Sequence, residues 1–164
     1  GTDKILDALA RVRTQVPDVQ LLVIAKEGES LDRMRALAKE RAVAEALVAP
    51  GWLSGDDLKA TYHASAVVAV PTLSFDSFPT MNLEAFACTK PVVATCFGGS
   101  RELVEDDISG YIVNPYNVPM LAEKITDLLS DKSKAERFGE KGLERVAREF
   151  TLEKQAEGFE KLYR

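Results

Sequence analysis

The sequence predicts an α/β fold in which a parallel sheet is covered by helices on both faces. Short runs rich in valine, among them Ala66-Val-Val-Ala-Val70 and Pro91-Val-Val-Ala-Thr95, alternate along the chain with longer segments of helical periodicity. These runs are continuously apolar, as expected of strands buried on both faces. At 164 residues the chain fits one domain with a substantial core, and no repeat, low-complexity tract or linker divides residues 1–164.

The elements follow in order. Ile5, Leu9, Val12 and Val16 mark one face of an opening helix, which Pro17-Asp18 breaks. Val19–Ala25 reads as a strand, and residues 30–41 as a charged amphipathic helix with Leu31, Met34, Leu37 and Ala38 on one side. Ala46–Ala49 is a short strand stopping at Pro50-Gly51. Ser54 with Asp57 resembles a capping box opening a helix over 55–64. The strand Ala66–Val70 leads through a polar loop into a helix near 79–88. Pro91–Thr95 is the next strand, ended by Gly98-Gly99; Ser100 caps a short helix, and Tyr111–Val113 is the last strand. Helices near 118–130, 132–148 and 152–163 close the chain.

Composition narrows the function. Hydrophobic content of 46% and charged content of 29% are those of a soluble globular protein. A net charge of −5 opposes nucleic acid or an anionic membrane as the main partner. No apolar run is long enough to be a membrane segment. The opening Gly-Thr-Asp-Lys lacks the basic-then-apolar pattern of a signal peptide. Cys88 and Cys96 make no disulfide framework, so a cytoplasmic setting is the expectation. Zinc-ligand spacing is absent, and His63, the single histidine, reads as a partly buried helix residue; no metal or cofactor is expected.

In a parallel sheet, ligands bind beyond the carboxyl ends of the strands. That rule places residues 25–29, 50–54, 71–80 and 96–100 on one rim. In the third segment a loop carrying Asp76 and Ser77 precedes Pro79, where a first helical turn begins. The free amides of that turn favour an anion. From Leu83 to Cys88 every residue is apolar except Glu84, and the helical wheel sets Glu84 beside Met81 and Cys88 in the apolar sector. A buried, unpaired carboxylate costs several kcal/mol, so Glu84 either reaches solvent or is met by a polar group. It lies roughly 7 Å along the axis from the helix start, a position suited to ribose hydroxyls. Two plainer readings stand beside this one: Asp76 or Ser77 caps the helix, and Glu84 pairs with a lysine or arginine.

Asp76, seven intervening residues and then Glu84, within Ser77-Phe78 and Leu83-Glu84-Ala85, resemble the acidic-x7-acidic signature of retaining nucleotide-sugar glycosyltransferases. These are the GT-B enzymes of the glycogen-synthase and sucrose-synthase type, often called family 4. The likeness extends in order through Gly51-Trp-Leu-Ser54, Leu58, Tyr62, Pro71-Thr72, Lys90–Thr95, Gly98-Gly99, Glu102-Leu-Val104, Gly110 and Asn114-Pro115. It covers nearly the whole chain and is similar to their C-terminal, donor-binding half.

The resemblance implies a Rossmann-like three-layer α/β/α domain that binds a nucleotide-sugar donor, with UDP- and GDP-sugars the frequent donors, in carbohydrate biosynthesis. It implies that Asp76 meets the donor sugar and Glu84 the ribose, and that the amides from Phe78 through Pro79, Thr80 and Met81 face the pyrophosphate or sugar. Trp52 and Leu53 would line the base and Gly98-Gly99 would shape the cleft. Trp52 equally suits a core aromatic, and Gly98-Gly99 a plain tight turn. Leaving-group stabilisation by helix amides and basic side chains needs no metal, and Glu105-Asp106-Asp107 reads as a solvated turn. The acceptor would be a sugar, a glycan or a lipid-linked sugar.

Several residues depart from the family pattern. Asp76 stands where glutamate is usual; Pro79, Thr89 and Asp107 stand where glycine is usual; and Ala25–Gly28 replaces a tighter glycine turn. The family's first strand, ending in Gly-Arg before a lysine, has no counterpart ahead of Thr2, nor has the N-terminal acceptor domain. A gap in the sheet and no turnover by these 164 residues alone are therefore expected, as is exposed apolar surface on the helix Thr151–Arg164, which resembles the segment that crosses back to the other half. Two alternatives are a non-hydrolysing nucleotide-sugar epimerase and a non-catalytic nucleotide- or protein-binding module.

Overall fold

The computed structural model describes residues 1–163. Five strands, β1 (Leu21–Ile24), β2 (Leu47–Gly51), β3 (Val68–Val70), β4 (Val92–Thr95) and β5 (Gly110–Val113), are all paired in parallel. Helices α1 (Thr2–Val12), α2 (Glu29–Glu40), α3 (Gly55–Ala64), α4 (Thr80–Ala87) and α5 (Ser100–Leu103) alternate with them. Then α6 (Val118–Ser130), α7 (Lys132–Glu149) and α8 (Leu152–Tyr163) complete the chain.

Two cores lie on opposite sheet faces, and β4 shows why. Val93 joins α1, α2, α6 and α7 in one core, while Val92 and Ala94 join α4 and α5 in the other. Successive side chains of a strand point to opposite faces, so a continuous apolar run serves two helix layers at once. All four residues of β4 are buried. The three-layer α/β/α arrangement read from the sequence is the one observed.

Among the described residues the sheet is split. One part orders as β1-β2 and the other as β3-β4-β5. Between β1 and β3 lies a cavity of about 920 Å³, whose walls include Leu21, Leu22 and Ile24 of β1 and Val68 and Ala69 of β3. The sequence-based expectation of a gap is met at this position.

Several boundaries differ from the sequence reading. The first strand starts at Leu21, because the Val19 amide still donates to the Val16 carbonyl in the turn after α1. A 3-10 turn at Ala44–Ala46 delays the second strand to Leu47. That strand contains Pro50 rather than ending before it, which its position at the edge permits. The third starts at Val68, whose amide opens the ladder to β4 by donating to Pro91. The capping box at Ser54 does not form; Ser54 is the N-cap but makes no side-chain capping bond. His63 is exposed, not partly buried.

Thr89 and Asp107, two residues standing where the family has glycine, are left-handed, with φ of 59° and 62°. For a β-branched residue such as Thr89 this costs about 1 kcal/mol. The α4–α7 contact holds the Thr89 turn in place. A Cβ on Gly139 of α7 would stand 2.1 Å from the Thr89 carbonyl oxygen, and one on Gly142 would stand 2.1 Å from the Phe86 ring. Each glycine inside a helix costs about 1 kcal/mol against alanine. Here the pair lets α7 lie directly on the buried Phe86. Among the described residues no helix is long and apolar enough to cross a membrane. Helix α8 buries none of its residues and exposes Leu152, Phe159, Leu162 and Tyr163.

Gly142→Ala should therefore destabilise the chain by about 1–3 kcal/mol despite its better helix propensity. Urea unfolding measures this, and a variant as stable as the parent would contradict the packing described.

Candidate functional site

The site is assembled where the loops after β3 and β4 touch. The Gly99 amide donates to the Asp76 carbonyl at 2.8 Å. A Cβ on Gly98 would stand 2.2 Å from that same oxygen, and one on Gly99 would stand 2.0 Å from the Ser77 carbonyl oxygen. Gly98 also has φ of 64°. The glycine pair is thus more than a tight turn, because its missing side chains are the space that the Asp76 loop occupies.

Asp76 and Ser77 are exposed at the tip of this loop. Asp76 Oδ1 accepts from the Phe78 amide at 3.0 Å, so Asp76 closes the local turn rather than capping α4. Pro79 is the buried N-cap residue of α4 and provides no side-chain cap. Behind it the amides of Thr80 and Met81 lie in the first helical turn, where no intrahelical acceptor exists. Phe78 turns away towards α7 and stacks at 5.9 Å on Phe150, so its side chain braces the loop.

Glu84 answers the question raised by its apolar helix. The buried face of α4 is Asn82, Ala85 and Phe86, and Glu84 lies outside it, exposed with Met81. The wheel-based sector Met81–Glu84–Cys88 is therefore not one buried stripe; only Cys88 of the three is buried. Glu84 Oε2 accepts a 2.7 Å hydrogen bond from the Tyr62 hydroxyl of α3. Both stated conditions hold together: the carboxylate reaches solvent, and a polar group meets it. The polar group is a tyrosine rather than a lysine or arginine. Burial first, and then the bond to Glu84, push the Tyr62 phenol well above its ordinary range.

Trp52, 62% exposed, is not a core aromatic. The Lys26 ammonium lies 5.5 Å from the centre of its ring, and together they bring the loops after β1 and β2 to one place. Trp52, Leu53, Tyr62, Met81 and Glu84 all line the cavity between the half-sheets. The structure thus brings four predicted residues, Trp52, Leu53, Met81 and Glu84, to that cavity. Asp76, Ser77, Gly98 and Gly99 gather at the neighbouring loop contact.

Two residues were missed as site components. The sequence quotes Tyr62 only as part of a pattern, and a bond spanning 22 residues carries no local signal. Asn82 is wholly buried, its Nδ2 donating to Ser100 Oγ at 3.4 Å and its Oδ1 without a partner among the described residues. An amide alone on an apolar helix was the available clue, and it ties α4 to the start of α5. Cys88 and Cys96 are both free, and Glu105-Asp106-Asp107 forms a turn in which Asp106 accepts from the Ile112 amide. Among the described residues no group of three or more acidic, histidine or cysteine side chains is placed to hold a metal ion.

Five parallel strands flanked by helices, with a glycine-clamped rim ahead of α4, define a Rossmann-like α/β domain. The chain matches the model of the glycosyl transferases group 1 over residues 1–145 and belongs to that family. It is 38% identical over 128 residues to a D-inositol 3-phosphate glycosyltransferase of Mycobacterium sp. (strain KMS), covering 76% of this chain and 29% of the relative. It is 31% identical over 148 residues to a GDP-mannose-dependent alpha-(1-6)-phosphatidylinositol monomannoside mannosyltransferase of Mycolicibacterium smegmatis, covering 87% of this chain and 38% of the relative. Among solved structures, sucrose-phosphate synthase from Thermosynechococcus elongatus superposes with a TM-score of 0.86 at 28% identity, over 99% of this chain and 42% of that one. The chain thus spans about a third of the length of these curated relatives. The GT-B, Rossmann-like reading of the sequence agrees with these matches.

The Tyr62–Glu84 bond has a pH signature. With the folded pKa of Tyr62 above its unfolded value, the pair's contribution is fully present below about pH 10 and is lost as pH rises through the folded value. In Glu84→Gln the Tyr62 phenol should titrate lower than in the parent while burial keeps it above ordinary tyrosine. Ring carbon shifts of Tyr62 followed by NMR test this, and an identical titration in both proteins would contradict it.

Proposed function

We propose that this chain is the donor-nucleotide half of a retaining hexosyltransferase, which moves a hexose from a nucleoside-diphosphate sugar to an acceptor sugar, glycan or lipid-linked sugar. The carrying observation is the cavity on which Trp52, Leu53, Tyr62, Met81 and Glu84 converge beside the open first turn of α4. Glu84 Oε2 is engaged by Tyr62, and its second carboxylate oxygen has no partner among the described residues. That oxygen accepts from ribose hydroxyls in this reading, with Tyr62 fixing the carboxylate rotamer. Trp52 and Leu53 flank the base, and Asp76 meets the transferred sugar at the loop tip.

The chemistry asked of these residues is leaving-group stabilisation. As the glycosidic bond to phosphate breaks, negative charge grows on the departing diphosphate, and preorganised helix amides oppose it without reorganising. Pro79 removes one amide from this set, so Thr80 and Met81 carry it. The acceptor half and the family's Gly-Arg and lysine lie outside these 164 residues, which alone give no turnover in this reading. The name of the mycobacterial mannosyltransferase makes guanosine diphosphate the first nucleotide to try.

Calorimetric titration of the folded chain with guanosine, uridine and adenosine diphosphates should show one preferred nucleotide. Binding should fall about tenfold or more in Glu84→Ala, the range of a hydrogen bond to a charged group. Equal binding by that variant, with circular dichroism showing both folded, would overturn the ribose role.

A further inference from the structure

We infer that the carboxyl rim carries an aromatic platform for the acceptor, formed by Phe75, Phe97 and Tyr116, whose ligand is a carbohydrate chain of more than one sugar unit. This rests on the donor reading above and narrows its acceptor to a glycan. The three rings come from the loops after β3, β4 and β5, which are neighbours in one half-sheet. Parallel strands lie about 4.8 Å apart, so side chains at one level of successive loops come within stacking reach. The centroids of Phe75 and Phe97 are 5.6 Å apart, and those of Phe97 and Tyr116 are 6.2 Å apart. Both separations are those of paired aromatic rings.

The platform is open, yet its rings are held in place. Phe75 is 82% and Tyr116 62% exposed, with the half-buried Phe97 between them. Just ahead of Phe75 the Thr72 and Ser74 hydroxyls pair at 2.8 Å. Thr95 Oγ1 accepts from the Phe97 amide at 3.2 Å, and Asn114 Oδ1 accepts from the Tyr116 amide at 3.0 Å. Rings fixed before a ligand arrives lose little freedom when it binds. A contiguous aromatic patch left in water marks a place where something docks.

Position and chemistry select the occupant. Phe75 directly precedes Asp76, which meets the transferred sugar in the donor reading, and Phe97 directly precedes Gly98, on which the Asp76 loop rests. None of the three rings lines the cavity of Trp52 and Glu84 that is given to the nucleotide. The platform therefore adjoins the sugar end of the site. A sugar ring carries C–H bonds on its faces and hydroxyls around its edge. The C–H bonds pack on the negative face of an aromatic ring, and the hydroxyls need donors and acceptors close by. Both kinds flank the stripe. The Asp76 carboxylate follows Phe75, and at Tyr116 stands the Lys4–Asp3 ion pair, its ammonium 5.6 Å from the centre of the ring. An acyl chain would gain the apolar contact but take water from these charges without replacing it. One sugar covers about one aromatic ring, so three rings call for a chain of sugars.

NMR titration of the chain with linear trisaccharides of glucose and of mannose, α- and β-linked, tests this on the ring protons of Phe75, Phe97 and Tyr116. At least one trisaccharide should shift all three rings saturably and bind more tightly than its methyl monosaccharide. Leucine keeps apolar area but removes the ring face, so Phe75→Leu and Tyr116→Leu should each weaken binding about threefold to tenfold. Leucine variants that bind as tightly as the parent would overturn the platform, and so would a monosaccharide that binds equally well. A chain that binds a nucleoside diphosphate while no trisaccharide moves the rings overturns the platform and leaves the donor reading standing. Ring shifts with trisaccharide and no nucleotide binding support the platform and overturn the donor reading. Rings that answer only to nucleotide, or only to phosphatidylcholine vesicles, also overturn the platform.

Discussion

The carboxyl rim of this domain depends on one backbone contact: the loop after β3 rests on Gly98-Gly99 after β4 at a separation that no side chain allows. That contact fixes where Asp76 turns the chain, and the turn fixes where α4 begins. The start of α4 then decides which of its faces is buried. Asn82, Ala85 and Phe86 face the core, so Glu84 emerges towards α3 and meets Tyr62. The position of Glu84 is thus set by two glycines.

The same logic of close approach recurs behind the site. Gly139 and Gly142 seat α7 on the Thr89 turn and on Phe86, pressing α4 against β3 and β4 from outside. The left-handed Thr89 is therefore strain held by packing. On the far side of α4 a cavity beside β3 separates the two half-sheets. Glu84 lines that cavity.

Much of the fold was legible because each signal was local. The closing helices were placed within a residue or so by their periodicity, and continuous valine runs marked strands that serve two cores. Strand starts were not legible, since Val19 looks apolar enough for a strand but its amide is spent in a turn. Among site residues, the Asp76–Glu84 spacing carried the resemblance, and Gly98-Gly99 and Trp52 followed from chain order. The partner of Glu84 was not readable, because Tyr62 lies one strand and one loop away and only the packing of α3 on α4 brings it within 2.7 Å. The buried Asn82 was passed over for a similar reason, its reason for burial being Ser100 on another loop.

The central claim is that nucleotide binds on the rim at Glu84 and not elsewhere on the surface. Mapping amide and indole shifts by NMR during titration with guanosine diphosphate tests it most directly. The account predicts changes confined to Trp52, Leu53, Tyr62, the residues Phe78–Glu84 and Gly98-Gly99. Shifts centred instead on the groove of Arg11, Thr14 and Asp127 between α1 and α6, with the rim unmoved, would contradict it.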